Sequence, residues 1–400
     1  MLRLNRSALR KIEETAQKTP GCISFSQGVC RLGGVSQTIK AHVQGLLNTD
    51  IADYYQLGVG IQALREKLAT TLSARFNTPL SVQNILVSHG SLGCLNTLGK
   101  TLLDVGDQVL IPAPAYPMYK QLIASMHAEP IFVTAYHWQQ QGTGGTWRFD
   151  IDALQNAITP KTKMILLSNP SNPTGVVLTK AEVLALKALC EQRGIYLVLD
   201  EIYDDFMFEG EFYSGTGFVL ESEWVMRVGS FSKNYGMSGW RVGYLVAPAA
   251  LISAMIPIQE VSLCCPSVIG QHAALFALDH PELVVQTHQK LLPIKNMVCE
   301  TFNIIAQSGL ISFAPPQAGL YVFAKTAYAD STPFVIDLLE KAKVAVVPGS
   351  DFGRDAAPFF RLCFAREMDV VREGMNRLQA YVAADPGALA KSGQQTCSNR

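Results

Sequence analysis

The sequence predicts an α/β protein. A large unit with a mostly parallel seven-stranded sheet is covered by helices, and a smaller α+β unit follows it. Three observations carry this reading. Seven short apolar runs occur at 85–87, 108–111, 131–133, 164–167, 196–199, 225–228 and 242–247. Several are too continuously apolar to have one wet face, which is the pattern of strands buried on both sides. Helical stripes lie among them: Ile61, Leu64, Leu68 and Leu72 share one face, as do Val183, Leu186, Leu189 and Cys190. After about residue 285 the alternation gives way to a long helical stretch, 288–308. Short strands follow near 320–323, 345–347 and 360–364.

Hydrophobic residues make up 48% of the 400-residue chain, enough to bury a large core in two or three domains. Basic and acidic residues balance at 33 each and form no long run. The electrostatic footprint of a nucleic-acid binder is therefore missing. The opening MLRLNRSALRKIEETAQ reads as a short amphipathic helix. It has no apolar core of signal-peptide length, and Glu13 and Glu14 argue against a transit peptide. No apolar run approaches bilayer length, so no membrane association is expected. Nine scattered cysteines, with Cys264 and Cys265 adjacent and no C-x-x-C pair, read as reduced thiols of a cytoplasmic protein. Seven histidines show no ligand spacing, and no metal is expected. Residues 139–146 read as a flexible polar loop, and the tail from Asp385 as disordered.

Four segments are placed for chemistry. Ser230-Phe231-Ser232-Lys233 follows an apolar strand, with Arg241 eight residues past the lysine. A charged lysine at a buried strand end is costly, although Lys233 alone reads equally well as a surface lysine. Asp200-Glu201-Ile202-Tyr203 follows the strand at 196–199, at the edge where open α/β sheets bind ligands. Helix capping by Asp200 is as good a reading in isolation. Ser168 to Gly175 holds two Asn-Pro pairs, more than a plain turn needs. His89-Gly90-Ser91-Leu92-Gly93 joins a strand to a helix with small residues, leaving N–H groups free for a phosphate. Gly58-Val59-Gly60-Ile61-Gln62-Ala63 matches a dinucleotide fingerprint but lacks a buried strand before it, and better suits a tight helix entry.

In this order the segments resemble the fold-type I pyridoxal-phosphate enzymes, specifically the class I/II aminotransferases. The resemblance runs from about residue 23 to 381, and NPSNPTG, DEIY and SFSKNYGMSGWRVGY carry it most strongly. It implies a homodimer with shared active sites and transfer of the amino group of an L-amino acid to a 2-oxo acid by a ping-pong route. It also implies a role for each matching position. Lys233 forms the Schiff base with pyridoxal phosphate and moves the proton. Asp200 pairs with the pyridine nitrogen, and Tyr203 and Asn172 bond the ring oxygen. Tyr116 stacks on the ring. Gly90, Ser91 and Leu92, with Ser230 and Arg241, hold the phosphate, which Tyr55 reaches from the neighbouring subunit. Arg361 grips the substrate carboxylate, with Gly28 and Asn172 nearby. The expected division is an N-terminal segment 1–44 contributing to the small domain and the substrate entrance, a large cofactor-binding domain 45–285, a small C-terminal domain 286–384 and a disordered tail 385–400.

Some positions depart from the family pattern. The phosphate loop reads Gly90-Ser91-Leu92-Gly93, and Cys264-Cys265 stand where small hydroxyl residues are common. Arg31, in the N-terminal substrate loop, either pairs with a distal acid on the substrate or faces solvent. The unusual loop 30–34 keeps other reactions of the same cofactor open: β- or γ-elimination, cyclisation or oxidation of a specialised amino acid. Tyr203 favours transfer, since related C–S lyases tend to carry His there. A non-catalytic sensing domain is a further alternative, but only about twenty residues precede the domain.

Overall fold

The computed structural model describes residues 7–384; the tail expectation falls outside them. Fifteen strands occur in chain order: β1 (Ile23–Ser24), β2 (Ile85–Ser88), β3 (Gln108–Ala113), β4 (Glu129–Thr134), β5 (Tyr136–Gln141), β6 (Gly144–Phe149), β7 (Thr162–Ser168), β8 (Tyr196–Asp200), β9 (Val225–Ser230), β10 (Gly243–Val246), β11 (Ile311–Phe313), β12 (Tyr321–Thr326), β13 (Val344–Ala345), β14 (Val347–Pro348) and β15 (Phe359–Cys363). Seven of them form one sheet in the order β2-β10-β9-β8-β7-β3-β4. Only β10 runs against the rest. These seven are the seven apolar runs of the sequence.

Their continuous apolarity has a simple cause. Alternate side chains of a strand point to opposite faces, and both faces are covered. Leu197 and Leu199 join one buried cluster while Val198, between them, joins another. Leu166 and its neighbours Ile165 and Leu167 divide the same way. Each such side chain contributes about 1.5–3 kcal/mol on burial. The covering helices form where the stripes predict. Helix Gln62–Phe76 buries Leu64, Leu68 and Leu72. Helix Lys180–Arg193 buries Val183, Leu186, Leu189 and Cys190, and Thr179 with Glu182 closes a capping box at its start.

A second, antiparallel sheet has the order β11-β12-β15-β14. Helices Glu282–Ala306 and Met368–Ala384 cover it. The first starts six residues earlier than the sequence pattern predicts, just after Pro281, because its first turns are only partly buried and lack a full apolar stripe. The N-terminal helix spans Ala8–Lys18, and β1 then pairs with β13. A further expectation fails. Residues 139–146 are not a loop but the tip of a β5–β6 hairpin, in register from Tyr136 opposite Phe149 to Gln141 opposite Gly144. The polar tip hides an aromatic base: Trp138 meets Trp147 at 5.3 Å between ring centroids, and both contact Phe359. Cross-strand aromatic pairs stabilise such ribbons, whereas a glycine- and glutamine-rich tip carries no strand signal of its own.

Candidate active site

The functional segments converge at the carboxyl ends of β2, β7, β8 and β9, around a cleft of about 450 Å³. Asp200 ends β8 and lies fully inside the protein. Its Oδ2 accepts a hydrogen bond from the Tyr119 hydroxyl at 2.7 Å, while Oδ1 has no partner. Burial pushes its carboxyl up to about 6, against the pull of the Tyr119 bond. Lys233, three residues past β9, donates to the Gly28 carbonyl and lies 6.0 Å from the Tyr203 ring centroid. Burial lowers its pKa from 10.5 to about 8, and nearby Arg361 adds to the fall. An amine near 8 exchanges protons readily at neutral pH.

Arg361, on β15, is 1% exposed. Its guanidinium donates to Asn172 Oδ1 at 3.0 Å and to the Ser26 carbonyl at 2.6 Å, and it stacks between Tyr321 and Phe352. Its Nε has no partner, and no carboxylate among the described residues pairs with it. A buried cation without a counter-charge is costly, so the place suits an incoming carboxylate. The Tyr203 hydroxyl lies 2.7 Å from that of Tyr321 and accepts from Asn172 Nδ2 at 3.4 Å. Burial raises the Tyr203 pKa well above its usual value.

The floor of the cleft is shaped by close backbone approach. Gly90 has φ +73°, and a Cβ there would sit 2.3 Å from Arg241 Nη2. A Cβ on Gly243 would sit 2.4 Å from the Gly90 carbonyl carbon. Arg241 reaches over the loop and donates to the carbonyls of Ser238 and His89 at 2.8 and 3.2 Å. Helix Gly90–Leu102 starts there without a side-chain cap, so its first N–H groups are free of one.

Of the expected residues, Gly28, Ser91, Leu92, Tyr116, Asn172, Asp200, Tyr203, Lys233, Arg241 and Arg361 line the cleft. Gly90 and Ser230 stand one layer behind it, the Ser230 hydroxyl bonding Ser232 Oγ and the Val242 carbonyl. Tyr55 lies apart at 85% exposure. Arg31 also lies outside, exposed and bonded to Gln27 Oε1 at 3.1 Å, so of its two readings the solvent-facing one agrees with its position. Sequence reasoning missed Tyr119, Tyr321, Arg10 and Ser238. Tyr119, three residues past Tyr116 on an incipient helix, was the one with a usable signal.

An orphaned carboxylate oxygen, an orphaned guanidinium nitrogen and an uncapped helix start beside Arg241 form a donor set that fits pyridoxal phosphate. The comparisons agree. The model of the family "Aminotransferase class I and II" matches residues 20–378.

The chain belongs to the class I and II aminotransferases.

It is 31% identical over 342 residues to an aspartate aminotransferase of Sulfolobus acidocaldarius, covering 82% of either chain. It is 30% identical over 338 residues to a probable N-acetyl-LL-diaminopimelate aminotransferase of Bacillus subtilis, covering 84% of this chain and 81% of the relative. A solved double mutant of the Thermus thermophilus aspartate aminotransferase superimposes with a TM-score of 0.85 at 26% identity, covering 94% of this chain and 97% of that one. This aminotransferase is pyridoxal-phosphate dependent, like its family, and follows the ping-pong route general to it.

Proposed function

We propose a division of labour for the cleft of this aminotransferase. The observation that carries it is the pair of orphaned atoms, Asp200 Oδ1 and Arg361 Nε, in one cleft with Lys233. When bound, pyridoxal phosphate supplies an electron-withdrawing ring and a carbon that carries the amino group between substrates. Asp200 would face the ring nitrogen and hold a proton there, Tyr119 fixing its other oxygen. Tyr203 and Asn172 would donate to the ring oxygen, and Tyr116 would lie against the ring face. Gly90, Ser91, Leu92, Ser230 and Arg241 would hold the phosphate. Arg361 would take the α-carboxylate of an L-amino acid or 2-oxo acid on two of its nitrogens. With that carboxylate fixed, Lys233 Nζ, which lines the same cleft, would accept the proton of the substrate Cα and return one to the neighbouring carbon.

The same reading extends to the assembly. Tyr54, Tyr55 and Leu57 form an exposed apolar group, which supports a homodimer in which Tyr55 completes the phosphate site of its partner. The division into 1–44, 45–285 and 286–384 is supported by the separate covering of the two sheets, with helix Glu282–Ala306 running across its second boundary. We infer a cytoplasmic location away from membranes: the described cysteines are all free, and no helix among the described residues is long and apolar enough to cross a membrane.

The test is a panel of L-amino acids added to the holoenzyme. Conversion of its visible absorbance to that of the amine form, reversed by a 2-oxo acid, is expected. Lys233→Ala should lose the adduct that borohydride traps in the wild type. A wild type without that adduct, or one releasing ammonia or peroxide without the amine form, contradicts the scheme.

A further inference from the structure

Residues 26–29 belong to neither helix nor strand, and Gln27, Gly28 and Val29 form part of the cleft wall. Both ends of this segment are tied to β15 and its exit. The Phe25 carbonyl accepts from the Cys363 N–H, and the Arg31 N–H donates to the Ala365 carbonyl, each at 2.9 Å. Between those ties, four successive carbonyls accept from three cationic side chains. Arg361 Nη2 donates to Ser26 at 2.6 Å, Arg366 Nη2 to Gln27 at 2.9 Å, Lys233 Nζ to Gly28, and Arg366 Nη1 to Val29 at 2.5 Å. Arg366 alone holds two of them. A tight turn aims it: its own N–H donates to the Phe364 carbonyl at 2.7 Å, which folds the chain back just past β15. Arg366 is 5% exposed, and its other contacts are the Ala365 carbonyl at 3.2 Å and Cys363 Sγ at 3.7 Å. No carboxylate among the described residues pairs with it.

A buried guanidinium without an anion is costly, and an apolar side chain would fill the same space without that cost. What the charge gains here is the two carbonyls it grips. On the reading above, the other two cations serve the reaction: Lys233 anchors the cofactor and Arg361 takes the substrate carboxylate. Arg366 stands outside the cleft lining, and an arginine keeps its proton throughout. Its two bonds therefore persist while Lys233 and Arg361 change partners. We infer that Arg366 is a positioning residue for the transamination. It is a two-pronged clamp that holds residues 27–29 in the cleft wall, so that Gly28 stays beside Lys233 and Ser26 beside Arg361. The inference rests on the proposed role of Arg361 and adds the group that fixes its surroundings.

Arg366→Met keeps the apolar stem and removes both prongs. Hydrogen exchange of the holoenzyme, followed by mass spectrometry, should speed up by about tenfold or more in a peptide covering residues 25–31. There the N–H groups of Val29 and Arg31 are bonded, to the carbonyls of Gln27 and Ala365. Exchange in β12 and in helix Glu282–Ala306 should not change. With the amino acid that converts the wild type fastest, KM should rise by about tenfold or more, the scale of lost charge-assisted hydrogen bonds, and by more than kcat falls. The affinity for pyridoxal phosphate and the thermal midpoint should hold. Arg366→Lys keeps the charge and can reach one carbonyl, so it should recover part of both effects. Faster exchange throughout Arg366→Met with a lowered midpoint, and no recovery in Arg366→Lys, would show a merely structural arginine and overturn the inference. Unchanged exchange at 25–31, or an unchanged KM, overturns it too. In each case the wild type still converts, and transamination stands. A wild-type holoenzyme that no amino acid converts removes that reading and the inference with it.

Discussion

Removed from water, the Lys233 ammonium holds its proton less tightly, and its pKa falls from 10.5 to about 8. Between those values the unfolded chain binds a proton that the folded chain does not, so stability rises with pH. In cofactor-free protein the full cost of burying the charge is present below pH 8 and is lost as pH rises to 10.5. The cost is of order 3 kcal/mol, at 1.36 kcal/mol per pKa unit. Asp200 has the opposite sign: its cost is present above about pH 6 and disappears below its ordinary value of 3.8. Thermal midpoints of cofactor-free wild type and Lys233→Met should therefore converge as pH rises from 8 to 10.5. A gap constant across that window contradicts the argument. Arg361 is a second charge buried in the same cleft. Arg361→Met removes a buried cation that has no carboxylate partner. We expect kcat/KM to fall by roughly 100-fold, the scale of two charge-assisted hydrogen bonds. The unfolding midpoint of cofactor-free protein should hold or rise. A large fall in that midpoint would show that the bonds to Asn172 and Ser26 matter more than the desolvation.

At the scale of elements, the cleft is made by strand ends, and one close approach controls it. The loop before helix Gly90–Leu102 lies against β10 and under Arg241. Gly90→Ala meets both a left-handed backbone, costing about 1–2 kcal/mol, and the Arg241 guanidinium. Cofactor titration should show affinity weakened by roughly tenfold or more. Unchanged affinity would mean that the loop does not seat the phosphate. The elements also show what was legible. All seven strands of the main sheet were readable, because burial on both faces writes apolar residues at every position. The β5–β6 hairpin was not. Its stability comes from Trp138, Trp147 and Phe359 meeting across 212 residues of sequence, while its tip is polar. The start of helix Glu282–Ala306 was missed for a related reason, its first turns being only partly buried.

For the whole molecule, the proposed dimer makes a quantitative prediction. If Tyr55 serves the partner's site, Tyr55→Ala and Lys233→Ala chains fail at different sites. Refolding them together in equal amounts gives hybrids with one intact site. Random pairing makes half of the dimers hybrid, so about a quarter of wild-type activity should return. No recovery, or a chain sedimenting as a monomer, would remove Tyr55 from the site.

The sequence by itself determined the seven-strand sheet, the order of its functional loops and the residues at their tips. Each of these is a local property: a burial pattern, a turn or a motif a few residues long. Lys233, Asp200, Asn172, Tyr203 and Arg361 were all named from such segments, and all line one cleft. Only the tertiary structure decided the rest. It left Asp200 Oδ1 and Arg361 Nε without partners, set Tyr119 behind Asp200, and brought Tyr321 to Tyr203 across 118 residues. It also exchanged Arg31 for Arg10 in the cleft wall. Both arginines precede the main sheet and look alike as letters. What separates them is the anchoring of the first turn of helix Ala8–Lys18 by Asp351 and by the cluster of Phe323, Phe352 and Phe359, contacts that span more than 300 residues and leave no local trace.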